Sequence, residues 1–326
     1  MEQGPTPAPM GAAIHVLPRA SKARDDLTLR EVCEGYMAAY DGRDTARARR
    51  VDFWCRALGE LPLAAVDADR IADVLQHLAE QPVRQFVGRD AAGQPVYREI
   101  RKRSAATVNR YRMALAAVLT WARERRYTPR GWQHPVRETK ALPEKGASTR
   151  FLSPDERERL LKICRLSKYR KLHLLVLLAI TTGARKSELL GLRHGDLDLS
   201  TGTAYVRTSK NDEPRVLVLV PAVLAELKRH GAGRPEALLF PARYRDGRAA
   251  SFGQAWRNAL QLARIERFRF HDLRHSCASY LAQSGASLLE IADVLGHKSL
   301  KMTQRYSHLT IESKKGLVHR VLGGIQ

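Results

Sequence analysis

Between Thr128 and Thr149 the chain carries Pro129, Gly131, Pro135, Pro143 and Gly146 and shows no sustained apolar period. Proline and glycine at that density stop helices and strands alike, so the segment (131–149) reads as a linker. It divides 326 residues into two parts, each near the usual size of a domain.

Before the linker the apolar spacing is helical. Leu29, Val32, Cys33 and Tyr36 form one stripe, and Val51, Trp54, Cys55 and Leu58 a second. Asp67 is placed to cap a third helix carrying Ile71, Val74, Leu75 and Leu78, which ends before Pro82. Over 85–99 the pattern changes to Phe86-Val87, a turn at Asp90-Ala91-Ala92-Gly93, then Val96-Tyr97, which predicts a short β-hairpin inserted among the helices. After Arg101-Lys102-Arg103, Ser104 caps a long helix. Its inner face is Val108, Tyr111, Leu115, Val118, Leu119 and Ala122, with Asn109, Arg110 and Arg112 on other faces.

Beyond the linker, Ser153 followed by Pro154 starts a new helix, since proline suits the first helical position. Helices follow over 171–181 and 186–193. Strands at Ala204–Val206 and Val216–Val220 flank a turn at Lys210-Asn211-Asp212-Glu213-Pro214, and the rest reads as helical. The expected class is mainly α with a small β-sheet (α+β).

Lys and Arg number 56 against 34 acidic residues, a formal charge of +22. So large an excess repels itself and is relieved by a polyanion, which points to nucleic acid. No helix shows the basic, amphipathic face that a membrane surface would take up. The longest apolar run, Leu172 to Ile180, is far below the ~20 residues that span a bilayer. The stretch 1–26 has Pro5, Pro7 and Pro9 and no apolar signal region, so a disordered tail and a cytoplasmic, nucleoid-associated protein are expected. Cys33, Cys55, Cys164 and Cys277 form no C-x-x-C pair and read as reduced core residues.

The chemistry sits in the second half. Thr182-Gly183-Ala184-Arg185-Lys186-Ser187-Glu188-Leu189 is followed by Lys210 in the hairpin turn, then His271-Asp272-Leu273-Arg274, Leu295-Gly296-His297, and Thr303-Gln304-Arg305-Tyr306. This ordered set resembles the catalytic domain of the tyrosine recombinase (phage integrase) family, which carries T-G-x-R-x-x-E-L, a hairpin lysine, H-x-x-R, L-G-H and a final tyrosine. The likeness is strong from Arg150 onward (150–326, including a C-terminal exchange helix). It is weaker over 27–130, where it implies a helical core-binding domain.

A phenol with a pKa near ~10 is a poor nucleophile at neutral pH, so attack on a phosphodiester needs charge stabilisation and proton transfer. Arg185 and Arg274 can grip the non-bridging oxygens through forked donors. The resemblance implies Tyr306 as nucleophile, His271 as acceptor of its proton, His297 as a further phosphate donor and Lys210 as general acid, with Lys186 the alternative. Glu188 and Asp272 are expected to orient the cations. Arg101, Lys102, Arg103, Asn109, Arg110 and Arg112 are expected to touch DNA. The covalent 3′-phosphotyrosyl bond conserves the energy of the original ester, so neither ATP nor a metal or other cofactor is required.

His271 and His275 also stand at the spacing of zinc ligands in H-E-x-x-H proteases, but Asp272 replaces the glutamate base and Arg274 lies between them. His275 reads instead as a packed helix residue and His308 as an exposed one. The family implies double-stranded DNA as partner and a homo-tetramer assembled on it, with an accessory DNA-bending or directionality protein as an option. A phage or mobile-element integrase is the preferred reading. The alternatives are a chromosome-dimer resolvase, an idle DNA-binding regulator, or a topoisomerase with related tyrosine chemistry.

Overall fold

Thr28 opens the first helix by accepting a hydrogen bond from the Glu31 backbone N–H, while the Glu31 carboxylate accepts from the Thr28 N–H at 2.9 Å. The computed structural model describes residues 27–129, 131–144, 150–207, 214–242 and 245–323. Contacts divide the chain into two units, 1–146 and 147–326.

The first unit contains α1 (Leu29–Ala38), α2 (Arg47–Leu58) and α3 (Ala68–Glu80), then the antiparallel strands β1 (Pro82–Arg89) and β2 (Pro95–Lys102). The long α4 (Ala105–Glu124) and short α5 (Pro135–Glu138) complete it. Asp67 and Ser104 cap α3 and α4 through Arg70 N and Thr107 N, as their positions predict. The helices enclose one core in which Leu29, Trp54, Ile71, Leu115 and Leu119 are fully buried. The polar edge of Trp54 is satisfied by donation from its indole N–H to the Tyr111 carbonyl at 2.9 Å.

Residues 131–144, expected as linker, instead pack on α4. Trp132 and Val136 join the first core. The Asn109 amide donates to the Leu142 carbonyl and accepts from its N–H, both at 2.9 Å, and Arg112 donates to the carbonyls of Val136 at 2.7 Å and Thr139 at 2.9 Å. The segment is strapped down by side-chain bonds to its backbone, and such bonds leave no apolar period in the sequence.

The second unit begins with α6 (Pro154–Arg165), capped by Ser153, and α7 (Leu172–Thr182), an apolar helix buried nearly all round. Then come α8 (Lys186–Gly191), a three-stranded antiparallel sheet of β3 (Leu197–Asp198), β4 (Thr203–Val206) and β5 (Arg215–Val218), and α9 (Pro221–His230). A small ribbon of β6 (Pro241–Ala242) and β7 (Arg245–Ala249) precedes α10 (Gly253–Leu262), α11 (Asp272–Gln283) and α12 (Leu288–Leu295). Short 3₁₀ turns lead to α13 (Ile311–Leu322). β3 and the β6–β7 ribbon were not expected, because strands this short carry too few residues to show alternation. α11 is buried from Asp272 through Ser279 because it faces two apolar clusters. One holds Leu273 with α7, and the other joins Ala278 and Ala282 to Ile291, Leu295 and Tyr306. No helix among the described residues is long and apolar enough to cross a membrane.

Candidate active site

α7 ends because Gly183 turns into the left-handed region at φ 61°, and a Cβ there would lie 2.3 Å from Leu295 Cδ2. The reversal delivers Arg185 to the start of α8. Its backbone N–H donates to Glu188 Oε2 at 2.8 Å, its guanidinium to Glu188 Oε1 at 2.7 Å and to the Gly296 carbonyl at 3.1 Å. Glu188 is buried and also accepts from Arg215 Nη2 at 2.8 Å. Burial alone would raise its pKa, but the bonds from Arg215 and Arg185 outweigh it and hold the carboxylate below its usual range.

Arg274, 4% exposed on α11, donates to the Gly183 carbonyl at 2.8 Å. Burial, and then the charges of Arg185 and Arg215, lower its pKa to about 10. It remains a cation at neutral pH, held among like charges. His271, at the N-cap of α11, is exposed, and desolvation followed by the Arg274 charge lowers its pKa. His297 follows the left-handed Gly296 that ends α12 and shares a 2.8 Å hydrogen bond between Nδ1 and the buried Thr303 hydroxyl. Burial, then Arg274 and Arg185, push its pKa down to about 4.

Tyr306 is 1% exposed, in the cluster between α11 and α12. Its phenol oxygen lies 2.5 Å from His275 Nδ1. Burial pushes the phenol up to about 12, and burial with the neighbouring His271 pushes His275 down to about 4, so a neutral phenol and a neutral imidazole share this hydrogen bond. His275 is thus the packed residue that the sequence implies, but what it packs on is the nucleophile candidate. His308 is exposed.

Asp272 does not hold Arg185 or Arg274. It is buried and accepts from the Arg269 backbone N–H at 2.7 Å and from Arg269 Nη2 at 2.9 Å. This corrects the expectation that it orients the clamp, because the α11 N-terminus aims it at the preceding loop. Lys186 rests its ammonium 5.1 Å above the Phe252 ring. Lys210 lies outside the described residues.

Arg215, not singled out from sequence, bridges Glu188 and the Val294 carbonyl, the latter at 2.7 Å. Its only sequence signal is its place at the start of β5, just after the turn carrying Lys210. Of the expected DNA contacts, Arg101, Lys102 and Arg110 are exposed, whereas Arg103 donates to the Gln81 carbonyl at 2.9 Å and Asn109 and Arg112 strap residues 136–142.

Known proteins agree with this architecture. Over 184 residues the chain is 32% identical to tyrosine recombinase XerA of Thermococcus kodakarensis, covering 53% of this chain and 64% of that one. It is 34% identical over 175 residues to the shufflon-specific DNA recombinase of Escherichia coli, covering 50% of this chain and 41% of that one. The match therefore spans less than two thirds of either protein. With the integrase of Salmonella phage P22 it is 25% identical over 282 residues, covering 80% and 70%.

The fold superposes on the Tn1549 transposon integrase solved with a circular intermediate DNA, at a TM-score of 0.70 and 17% identity over 90% of this chain and 99% of that one. On a lambda integrase dimer bound to a core site the TM-score is 0.63 at 20% identity, over 87% and 78%. The phage integrase family profile matches residues 150–313, half of the chain and the whole of the arginine, histidine and tyrosine cluster, and the chain belongs to that family.

Proposed function

We propose that this chain is a site-specific DNA recombinase that cuts and rejoins strands through Tyr306. The observation that carries the reading is the convergence on one buried carboxylate, Glu188, of Arg185 and Arg215, with Arg274 close enough for their charges to depress its pKa. A phosphodiester relieves that repulsion and is gripped at its non-bridging oxygens by Arg185 and Arg274.

In cleavage the Tyr306 oxygen bonds to phosphorus and the bond to the 5′-oxygen breaks. The phenol proton passes to His271, His297 donates to the phosphate, and Lys210 protonates the departing 5′-oxygen. Attack by another 5′-hydroxyl on the phosphotyrosyl bond reverses each transfer and seals the strand. Because Tyr306 is covered and bound to His275, DNA binding must first lift it from its pocket.

A phage or mobile-element integrase is the preferred role, supported by the P22 relative, whose match runs through both units. An idle DNA-binding regulator would have no reason to keep the entire set from Arg185 to Tyr306. Assembly on DNA as a tetramer is supported by α13, where Val318, Val321 and Leu322 are all half or more exposed, an apolar face that its own unit leaves uncovered and a second copy would bury.

The test is incubation with duplex from the neighbouring genomic region, read on denaturing gels. Wild type should leave a covalent adduct in excess EDTA and Tyr306→Phe none, with DNA affinity nearly equal. An adduct from the phenylalanine variant overturns the assignment.

A further inference from the structure

The β1–β2 ribbon belongs to neither core. Two eight-residue strands at ~3.3 Å per residue make an arm roughly 26 Å long. Every residue of β2 is exposed, and on β1 only Pro82, Val83 and Gly88 are partly covered. The root is fastened by Arg103 donating to the Gln81 carbonyl at the end of α3. The tip is set by the Asp90 carboxylate accepting from Ala92 N at 2.9 Å and Gln94 N at 2.8 Å. Both ends are well defined, and between them the two strands pair mainly with each other.

The register pairs Phe86 with Tyr97 and Arg84 with Glu99, which puts the aromatic pair and this ion pair on one face. The two rings meet edge-on at 5.9 Å and are 53% and 54% exposed. Val87, Val96 and Ile100 are exposed as well. A lone two-stranded ribbon is marginal in water, and an uncovered apolar strand edge invites pairing, so such an arm implies a partner. Its charge indicates which kind. From 82 to 103 stand Arg84, Arg89, Arg98, Arg101, Lys102 and Arg103 against only Asp90 and Glu99.

We propose that this ribbon is a second DNA-reading element of the first unit, lying in a groove of the duplex. The B-DNA major groove, about 12 Å wide, admits a two-stranded ribbon. Arg84, Arg89, Arg98, Arg101 and Lys102 engage phosphates, and the Phe86–Tyr97 edge packs on the sugars and base edges between them. An arm of this length covers on the order of 5–8 base pairs at ~3.4 Å each. The proposal rests on the reading of the chain as a DNA recombinase.

The test uses the full chain and a nonspecific duplex of about 40 bp, well beyond the ~5–8 base pairs the arm covers, with affinity measured by fluorescence anisotropy across a salt series. Two variants are compared, Arg84→Ala/Arg89→Ala/Arg98→Ala and Phe86→Ser/Tyr97→Ser, both checked by thermal melting. Each lost phosphate contact flattens the log–log salt slope by about 0.9, so the arginine variant should lose about 2–3 in slope and bind at least about tenfold more weakly. The aromatic variant should weaken binding at unchanged slope, while both melt like wild type.

Wild-type slope and affinity in both folded variants overturn the proposal. So does unchanged DNA binding with lost self-association in sedimentation, which gives the arm to a second copy, or with lost pelleting on phosphatidylserine vesicles, which gives it to a membrane. If wild type itself shows no salt-dependent binding to duplex, the recombinase reading fails, and that result is distinct from failure of the arm alone.

Discussion

Replacing Glu188 by glutamine tests whether the arginine cluster is held by one charge. The carboxylate is 1% exposed and receives three donors, the Arg185 N–H at 2.8 Å, Arg185 Nη1 at 2.7 Å and Arg215 Nη2 at 2.8 Å. Glutamine keeps one oxygen and turns an NH₂ toward a guanidinium. Removing one partner of a buried ion pair costs about 3–5 kcal/mol, and a hydrogen bond to a charged group contributes about 1.5–3 kcal/mol. With one acceptor retained, the expected loss is about 3 kcal/mol. For a unit the size of residues 147–326, at about 2–4 °C per kcal/mol, the melting point should fall by about 6–12 °C at pH 7.

The sign with pH follows from the lowered pKa of Glu188. Its contribution is fully present above the unfolded carboxylate pKa of ~4.3 and is lost as pH falls through the lower folded value. The gap between wild type and variant should therefore close below about pH 4. Scanning calorimetry of both proteins across this range reads it. A variant melting within about a degree of wild type at pH 7, or a gap that persists unchanged in acid, refutes the reasoning.

The two glycines give a graded pair. Gly183→Ala should destabilise by about 2–4 kcal/mol, combining a left-handed backbone with a Cβ 2.3 Å from Leu295. Gly296→Ala should cost about 1–2 kcal/mol, the left-handed backbone alone, since the atoms nearest its Cβ belong to the flexible Arg215 side chain at 2.9 Å; equal losses in urea titrations would contradict this. Lys210→Ala should abolish most cleavage of ordinary DNA but recover on a substrate with sulfur as the 5′-bridging atom, because a thiolate leaves without a proton. No recovery would move the acid role to Lys186 or water. Truncation after Thr310 should leave binding to a single half-site intact while abolishing the higher-order complex in native gels; a much lower melting point of the free monomer would show that α13 belongs to its own core.

The sequence was most legible where one local rule decides the outcome. Asp67, Ser104 and Ser153 cap the helices their positions predict, because an N-cap acts within three residues. Residues 131–144 misled because their order comes from Asn109 and Arg112 reaching across from α4, a cause that leaves no mark within the segment itself. Arg215, and the partner on which His275 packs, escape the sequence for a related reason. Their meaning lies in partners 27 and 31 positions away, Glu188 and Tyr306, and no local spacing encodes those contacts. Asp272 misled in the opposite sense: its nearness in sequence to Arg274 suggested a pair, yet the helix start turns it to Arg269.

The ordered motifs were readable because they are mutually required. Gly183, in the first string, accepts Arg274 from the second on its carbonyl, and its missing Cβ leaves room for Leu295 of the third. Gly296, in the third string, accepts Arg185 from the first, and its missing Cβ admits Arg215, which returns to Glu188 of the first. Each glycine is therefore required twice over, by its left-handed backbone and by a side chain of another segment packed where its Cβ would stand. The carbonyls that these two tight turns expose are the ones that accept from Arg274 and Arg185, so the turns fix where the clamp arginines sit. The joint presence of both glycines with both arginines thus argues for an intact site more strongly than any one string does.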